Sequence, residues 1–403
     1  MLWAGAIFLL TKSSRFITEY FLLTLPSLKY IPSFENNPRE QKTISATALI
    51  LISLLIVFHF RYLTLSNQPK FPFSTKKLPV GVATFLNHIN INGRIFNNAN
   101  TGGYLQWALG PNYDIYMDME VPFLFTDKDF FIGKHALSNN ATFSKVINHY
   151  QPDFLTIKWK EKIYKSYQER IQENFSDYAI IFFDDEEVLY INRKKHPEIF
   201  KKYKFQSITP LFLSDFTPDD IPQNTLDEFL SDLKSYNEIY AHCSIVNRAI
   251  GKIFISNGEY GKALHHAKMI IKDFPESPEG YLLEADTFLK KEAYKKALNA
   301  YKITLTRMGS SGKIQLYERL WKCYYNLKLY KEAYSLLKDT VNIYSRTTSY
   351  KDLYRFSITA LSTGKNSDSK MLAELALFKV PDNDPVWKQR ILSLLAKFQP
   401  AHS

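Results

Sequence analysis

Gly258-Glu259-Tyr260-Gly261-Lys262-Ala263 recurs 34 residues later as Glu292-Ala293-Tyr294-Lys295-Lys296-Ala297. It returns once more, two residues late, within Leu329-Tyr330-Lys331-Glu332-Ala333, and the run Gly309-Ser310-Ser311-Gly312 supplies the slack as a longer loop. Upstream of each copy stands a second shared pattern: Ile250-Gly251 with Phe254, Glu284-Ala285 with Phe288, and Leu320-Trp321 with Tyr324. Pro275 closes the first unit. A fixed period of this size marks stacked supersecondary units that bury a core only between neighbours. A fainter fourth unit spans Tyr350–Pro381, and the apolar residues of Asp384–Phe398 suit a capping helix.

These units resemble the tetratricopeptide repeat, with small residues where two helices cross, aromatics filling the gap and a proline at the turn. The resemblance covers about 236–399 and implies an all-α solenoid with a concave groove lined by the first helix of each pair. By the repeat register Arg248, Lys252, Lys290, Lys322 and Asn326 face that groove. A basic groove suits a carboxylate terminus or an acidic peptide, so the expected partner is a protein or peptide.

The whole chain of 403 residues is long enough for two or three domains. A formal charge of +11 favours acidic partners. The lysines are dispersed, and no nucleic-acid-binding signature accompanies them, which argues against RNA or DNA. Cys243 and Cys323 are the only cysteines, form no CxxC pair and fall on expected helices, where thiols pack as small apolar groups. No cofactor and no metal is expected.

Ile44–Phe60 carries no charged residue apart from the titratable His59. Extended to Leu63 it gives about 20 residues, or about 30 Å of helix, enough to span a bilayer. A transmembrane helix is therefore expected over 43–63, and residues 1–35 read as further membrane-embedded apolar segments. The lysines and arginines on either side do not decide the orientation.

Between the membrane segment and the repeats, strands alternate with helices over 78–215, which predicts an α/β domain with a mainly parallel sheet. Helices are expected at Val80–Ile91, Tyr104–Leu109, Phe143–Tyr150, Tyr164–Phe175 and His196–Tyr203. Strands are expected at Arg94–Phe96, Tyr113–Met117 and Phe154–Lys158, followed by a hairpin of Tyr178–Phe183 and Val188–Asn192. Gly102-Gly103 opens the second of those helices, in a position to cradle an anion or to permit close backbone approach. Asp118 and Glu120 stand at a strand end with the spacing that puts two carboxylates on one side, where acid/base chemistry or a solvated strand end are the alternatives. Asn97, Tyr104 and Trp107 complete the candidate site in this domain.

The runs Gly93-Arg94-Ile95-Phe96-Asn97, Gly102-Gly103-Tyr104-Leu105-Gln106-Trp107 and Ile115-Tyr116-Met117-Asp118 resemble the non-membrane domain of bacterial GT-C membrane glycosyltransferases, the group of the dolichyl-phosphate-mannose mannosyltransferases and oligosaccharyltransferases. The resemblance covers about residues 1–215 and implies an extracytoplasmic domain behind the last membrane helix, with a lipid-linked sugar as a partner. Two departures stand out. Met119 and Glu120 follow Asp118 where the group has an Asp-Gly-Arg-like triplet, and the acidic first loop that carries catalysis in the group has no counterpart here. The expectation is an α+β multidomain protein with N-terminal transmembrane helices, a small α/β domain and a C-terminal solenoid. It would be held in a bacterial cytoplasmic membrane with its soluble domains outside, and would serve as an interaction scaffold without activity of its own. The alternative is part of a glycosyltransferase that uses a polyprenyl-phosphate sugar donor and lacks its catalytic half.

Overall fold

The computed structural model describes residues 77–119, 125–204, 208–309 and 312–398, together with Ser53. The apolar segments 1–35 and 43–63 lie outside the described residues apart from that serine, and so does Glu120. No helix among the described residues is long and apolar enough to cross a membrane.

Apolar spacing of three and four residues makes α1 (Val80–Ile89), which buries Val82, Phe85 and Leu86. Then follow β1 (Gly93–Phe96), α2 (Ala99–Leu109), β2 (Tyr113–Ile115), α3 (Asp127–His135), α4 (Asn140–His149) and β3 (Phe154–Lys158). After these come α5 (Tyr164–Asn174), β4 (Tyr178–Phe183), β5 (Glu187–Asn192) and the short helices α6 (Pro197–Tyr203) and α7 (Pro210–Asp215). Phe154, Leu155, Thr156 and Ile157 are all buried, the pattern of a strand covered on both faces.

The strand order is β2-β1-β3-β5-β4. β1 pairs in parallel with β2 and β3, whereas β5 pairs antiparallel with both β3 and β4. The sheet is therefore mixed rather than mainly parallel. A tight turn can join only antiparallel neighbours, so the β4–β5 hairpin folds β5 back between β3 and β4. α2 also begins earlier than its sequence suggests. The Asn98 side chain accepts from the Asn100 N–H at 2.9 Å and caps the helix there, which puts Gly102-Gly103 inside the helix instead of at its start. Helix α3 was not foreseen, although Thr126 and Asp129 form a capping box before it.

α8 (Leu226–Ile239) leads into the solenoid. Its pairs are α9 (Ser244–Ser256) with α10 (Tyr260–Asp273), α11 (Pro278–Lys290) with α12 (Tyr294–Met308), α13 (Gly312–Asn326) with α14 (Tyr330–Thr340), and α15 (Tyr350–Ser362) with α16 (Asn366–Lys379). α17 (Pro385–Leu395) packs on α16. Within each pair the turn passes through one residue of positive φ: Gly258 at 73°, Glu292 at 60°, Lys328 at 60° and Gly364 at 79°. Their spacing of 34, 36 and 36 residues is the true period of the array. Ala263, Ala297 and Ala333, the small residues of the repeated motif, are fully buried.

The core of the sheet continues without a break into the first repeat, from Val82 through Phe182 and Tyr236 to Ile253 and Ala263. The hairpin turn makes the junction. Asp184 accepts the N–H groups of Gly81 and Val82 at 2.8 and 3.1 Å, at the start of α1. It also accepts those of Glu186 and Glu187, both at 2.8 Å. Asp185 accepts from Ser244 at the start of α9. Consecutive carboxylates thus cap one helix of the sheet layer and the first helix of the solenoid. Burial pushes the Asp184 carboxyl up to about 7, against the backbone N–H donors that favour its charge.

Candidate functional site

The inner face of the first repeat is already occupied by the chain itself. Arg248 on α9 donates through Nη2 to the backbone carbonyls of Leu213 and Ser214 at 3.0 and 2.6 Å, and its Nη1 pairs with Glu279. Lys252, one turn on, donates to the carbonyl of Phe216 at 2.6 Å. Those carbonyls end the short helix α7, where cations complement the unpaired C=O groups. The connector holds its place through Leu213 and Phe216, both buried in the shared core. Arg248 and Lys252 therefore spend their hydrogen bonds on the connector, not on an open groove.

Beyond the connector a cavity of about 260 Å³ remains, lined by Lys252, Asp286, Lys290 and Arg319, with Pro218 and Asp219 on the connector side. Asp286 on α11 holds it together. Its carboxylate lies 3.2 Å from Arg319 Nε and accepts from the Tyr301 hydroxyl at 2.5 Å. Burial raises the Asp286 carboxyl and the Arg319 charge opposes that rise. Burial lowers the Lys252 ammonium, and the neighbouring Arg248 lowers it further.

Lys322 and Asn326 are exposed and lie outside this cavity. Asn326 donates to the Lys322 carbonyl at 2.7 Å. The cation that α13 contributes is Arg319. The repeat register, with spacings of 34 and 36 residues, aligns Lys322 with Lys252 and Asp286, and Arg319 three residues earlier on α13 was not singled out. Asp286 was missed because a groove read for cations gives no reason to single out one acid.

In the α/β layer, Asn97 joins the ends of β1 and β2. Its amide donates to the carbonyls of Met117 and Asn98 at 2.8 and 2.9 Å and accepts the Met117 N–H at 3.3 Å. Gly102 sits where a Cβ would lie 1.9 Å from the Met117 carbonyl oxygen and 2.8 Å from Asp118 Cα. Asn97, Gly102 and Asp118 thus meet in one tight crossing of α2 over the end of β2, and close approach explains the glycine at 102. Gly103 and Tyr104 are half-buried on α2, while Trp107 is 72% exposed, its ring centroid 6.0 Å from that of Tyr104. Burial pushes the Tyr104 phenol up, with the Asp184 charge adding to it. The pairing of Asp118 with Glu120 lies outside the described residues.

Among the described residues no group of His, Cys, Asp and Glu side chains is placed to hold a metal ion. Cys243 and Cys323 are buried free thiols, raised by burial.

No protein-family model and no curated protein matches the chain. Solved structures with partial likeness include the crystal structure of MamA, with 14% identity, a TM-score of 0.34, and coverage of 38% of this chain and 87% of that one. YrrB, described as a TPR protein with an unusual peptide-binding site, shares 16% identity over 44% of this chain and 85% of its own, with a TM-score of 0.33. A thermophilic TPR protein of Thermus thermophilus shares 16% identity over 42% of this chain and 90% of its own, also with a TM-score of 0.33. The helix pairs of residues 244–379, with their spacing of 34 to 36 residues, make this part of the chain a solenoid of stacked helix pairs with a tetratricopeptide-like period.

Proposed function

We propose that this chain is a membrane-anchored interaction scaffold whose repeats hold an acidic peptide segment. The observation that carries the reading is the cavity on the inner face of the solenoid, where the three cations Lys252, Lys290 and Arg319 outnumber the two carboxylates of Asp286 and Asp219. Lys290 is exposed and makes no ion pair among the described residues, so its charge is available to a carboxylate arriving from solvent. Arg319 is half-exposed and its guanidinium has donors beyond the contact with Asp286. Because the connector covers the first repeat, the peptide runs along α11, α13 and α15. The uncharged stretch Ile44–Phe60 supports anchoring in a membrane; a bacterial cytoplasmic membrane with the repeats on its outer side is what the resemblance to the GT-C non-membrane domain implies.

The test is fluorescence anisotropy of a Glu-rich labelled peptide against its Gln-substituted counterpart, with the full chain. The acidic peptide should bind more tightly, and Lys290→Glu should weaken it by roughly tenfold, the worth of one charge-assisted contact. Equal binding of both peptides, or no effect of Lys290→Glu, would refute the groove reading. Retention of the chain in salt- and carbonate-washed membranes checks the anchor; complete release would remove it.

A further inference from the structure

The α/β layer contains a second cavity, independent of the solenoid groove. Parallel strands β1 and β3 lie side by side at the middle of the sheet. The chain leaves β1 through α2 toward β2 on one flank, and leaves β3 through α5 toward β4 on the other. The two helices cover opposite faces. Thr101 of α2 donates to the Glu187 carboxylate at 2.8 Å, whereas Tyr164 of α5 meets the Tyr190 hydroxyl at 3.0 Å. Glu187 and Tyr190 are an odd number of residues apart on β5 and so face opposite sides. Where adjacent parallel strands send their connections apart in this way, a crevice opens outside their carboxyl ends.

That crevice measures about 390 Å³, within the range of about 300–1,000 Å³ common for small-molecule sites. Lys158 lines it from the end of β3, and Lys134 and His135 line it from the end of α3. Neither lysine is in an ion pair with another described residue, and Glu161 is the acid in the described lining. Thr156 also lines it, only 3% exposed. Its hydroxyl lies beside Glu187 yet makes no well-formed hydrogen bond. A buried hydroxyl left in that condition is costly unless something else completes it.

We infer that this crevice binds a small phosphate-bearing molecule. Lys134 and Lys158 pair with the phosphate, and the Thr156 hydroxyl supplies a hydrogen bond from the floor. A phosphate monoester carries close to two charges at neutral pH, matching two lysines where a carboxylate would match one.

Isothermal calorimetry of the full chain with glycerol 3-phosphate tests this, with glycerate of similar size as the carboxylate arm and phosphatidic acid vesicles as the lipid arm. Glycerol 3-phosphate should bind more tightly than glycerate. Lys134→Gln and Lys158→Gln should each weaken it by roughly tenfold, while Lys370→Gln, on the exposed face of α16, should leave it unchanged. Lys134 is exposed, so its substitution leaves the core intact. Failure to bind glycerol 3-phosphate up to about 10 mM at low salt would overturn the proposal. So would equal weakening by Lys370→Gln, or vesicle binding through the two lysines without binding of the free ester. Peptide binding by the solenoid is measured separately, so either site can fail alone.

Discussion

The Asp185 carboxylate accepts both the backbone N–H and the hydroxyl of Ser244, at 2.8 and 2.5 Å, and so fixes the first helix of the solenoid to the last hairpin of the sheet. Replacing Asp185 with alanine removes a helix cap and leaves the Ser244 donors without that acceptor. The expected cost is about 2–3 kcal/mol, read from urea unfolding. A change within about 0.5 kcal/mol, the ordinary range for surface sites, would mean that the junction does not depend on this contact.

Glu187 is fully buried, and burial pushes its carboxyl up from 4.5 to about 7, with the Asp184 charge adding to the rise and the Thr101 hydrogen bond opposing it. A folded-state value above the unfolded one means that the folded chain holds the proton more tightly. The stability this group contributes is therefore complete below about 4.5 and is lost as pH rises through about 7. Glu187→Gln should make thermal stability less dependent on pH across that window and should raise it at pH values above the window. An unchanged pH profile in the variant would show that Glu187 is ionised throughout.

Gly102→Ala should destabilise the chain by about 3 kcal/mol, at the upper end for overpacking, because the new methyl group meets a backbone carbonyl and not a side chain that can turn away. Gly261→Ala, in α10 where an added Cβ meets nothing within 4 Å, should cost much less. Similar melting temperatures for the two variants would contradict the close crossing of α2 and β2.

Lys328 holds a left-handed turn conformation that its counterparts Gly258 and Gly364 adopt without a side chain. Lys328→Gly should stabilise the array, and Gly258→Ala should destabilise it by about 1 kcal/mol. At Gly258 no atom lies near the added Cβ, so that cost is one of backbone conformation alone. Chemical denaturation of both variants decides it; a destabilising Lys328→Gly would contradict the turn.

The solenoid was legible because its period repeats a small residue that must be buried, at Ala263, Ala297 and Ala333. The strands were legible because runs such as Phe154–Ile157 are apolar enough for burial on both faces. Pairing was not: nothing local in Glu187–Asn192 says that it inserts beside β3. The groove was harder still. Arg248 and Lys252 were recognisable as inward-facing cations, but their partners are carbonyls 34 to 36 residues earlier in the chain, in a connector without a strong pattern of its own. Asp184 and Asp185 looked like an ordinary polar turn because their acceptor role depends on helices that start at Val80 and Ser244.

Two adjacent carboxylates in a single hairpin turn leave no slack between sheet and solenoid. Parting the two layers would strip the cap from α9 and split a continuous core in one event. The described chain from α1 onward is accordingly a stiff arm, not beads on a tether: whatever the repeats grip is kept at a set reach and angle from the sheet.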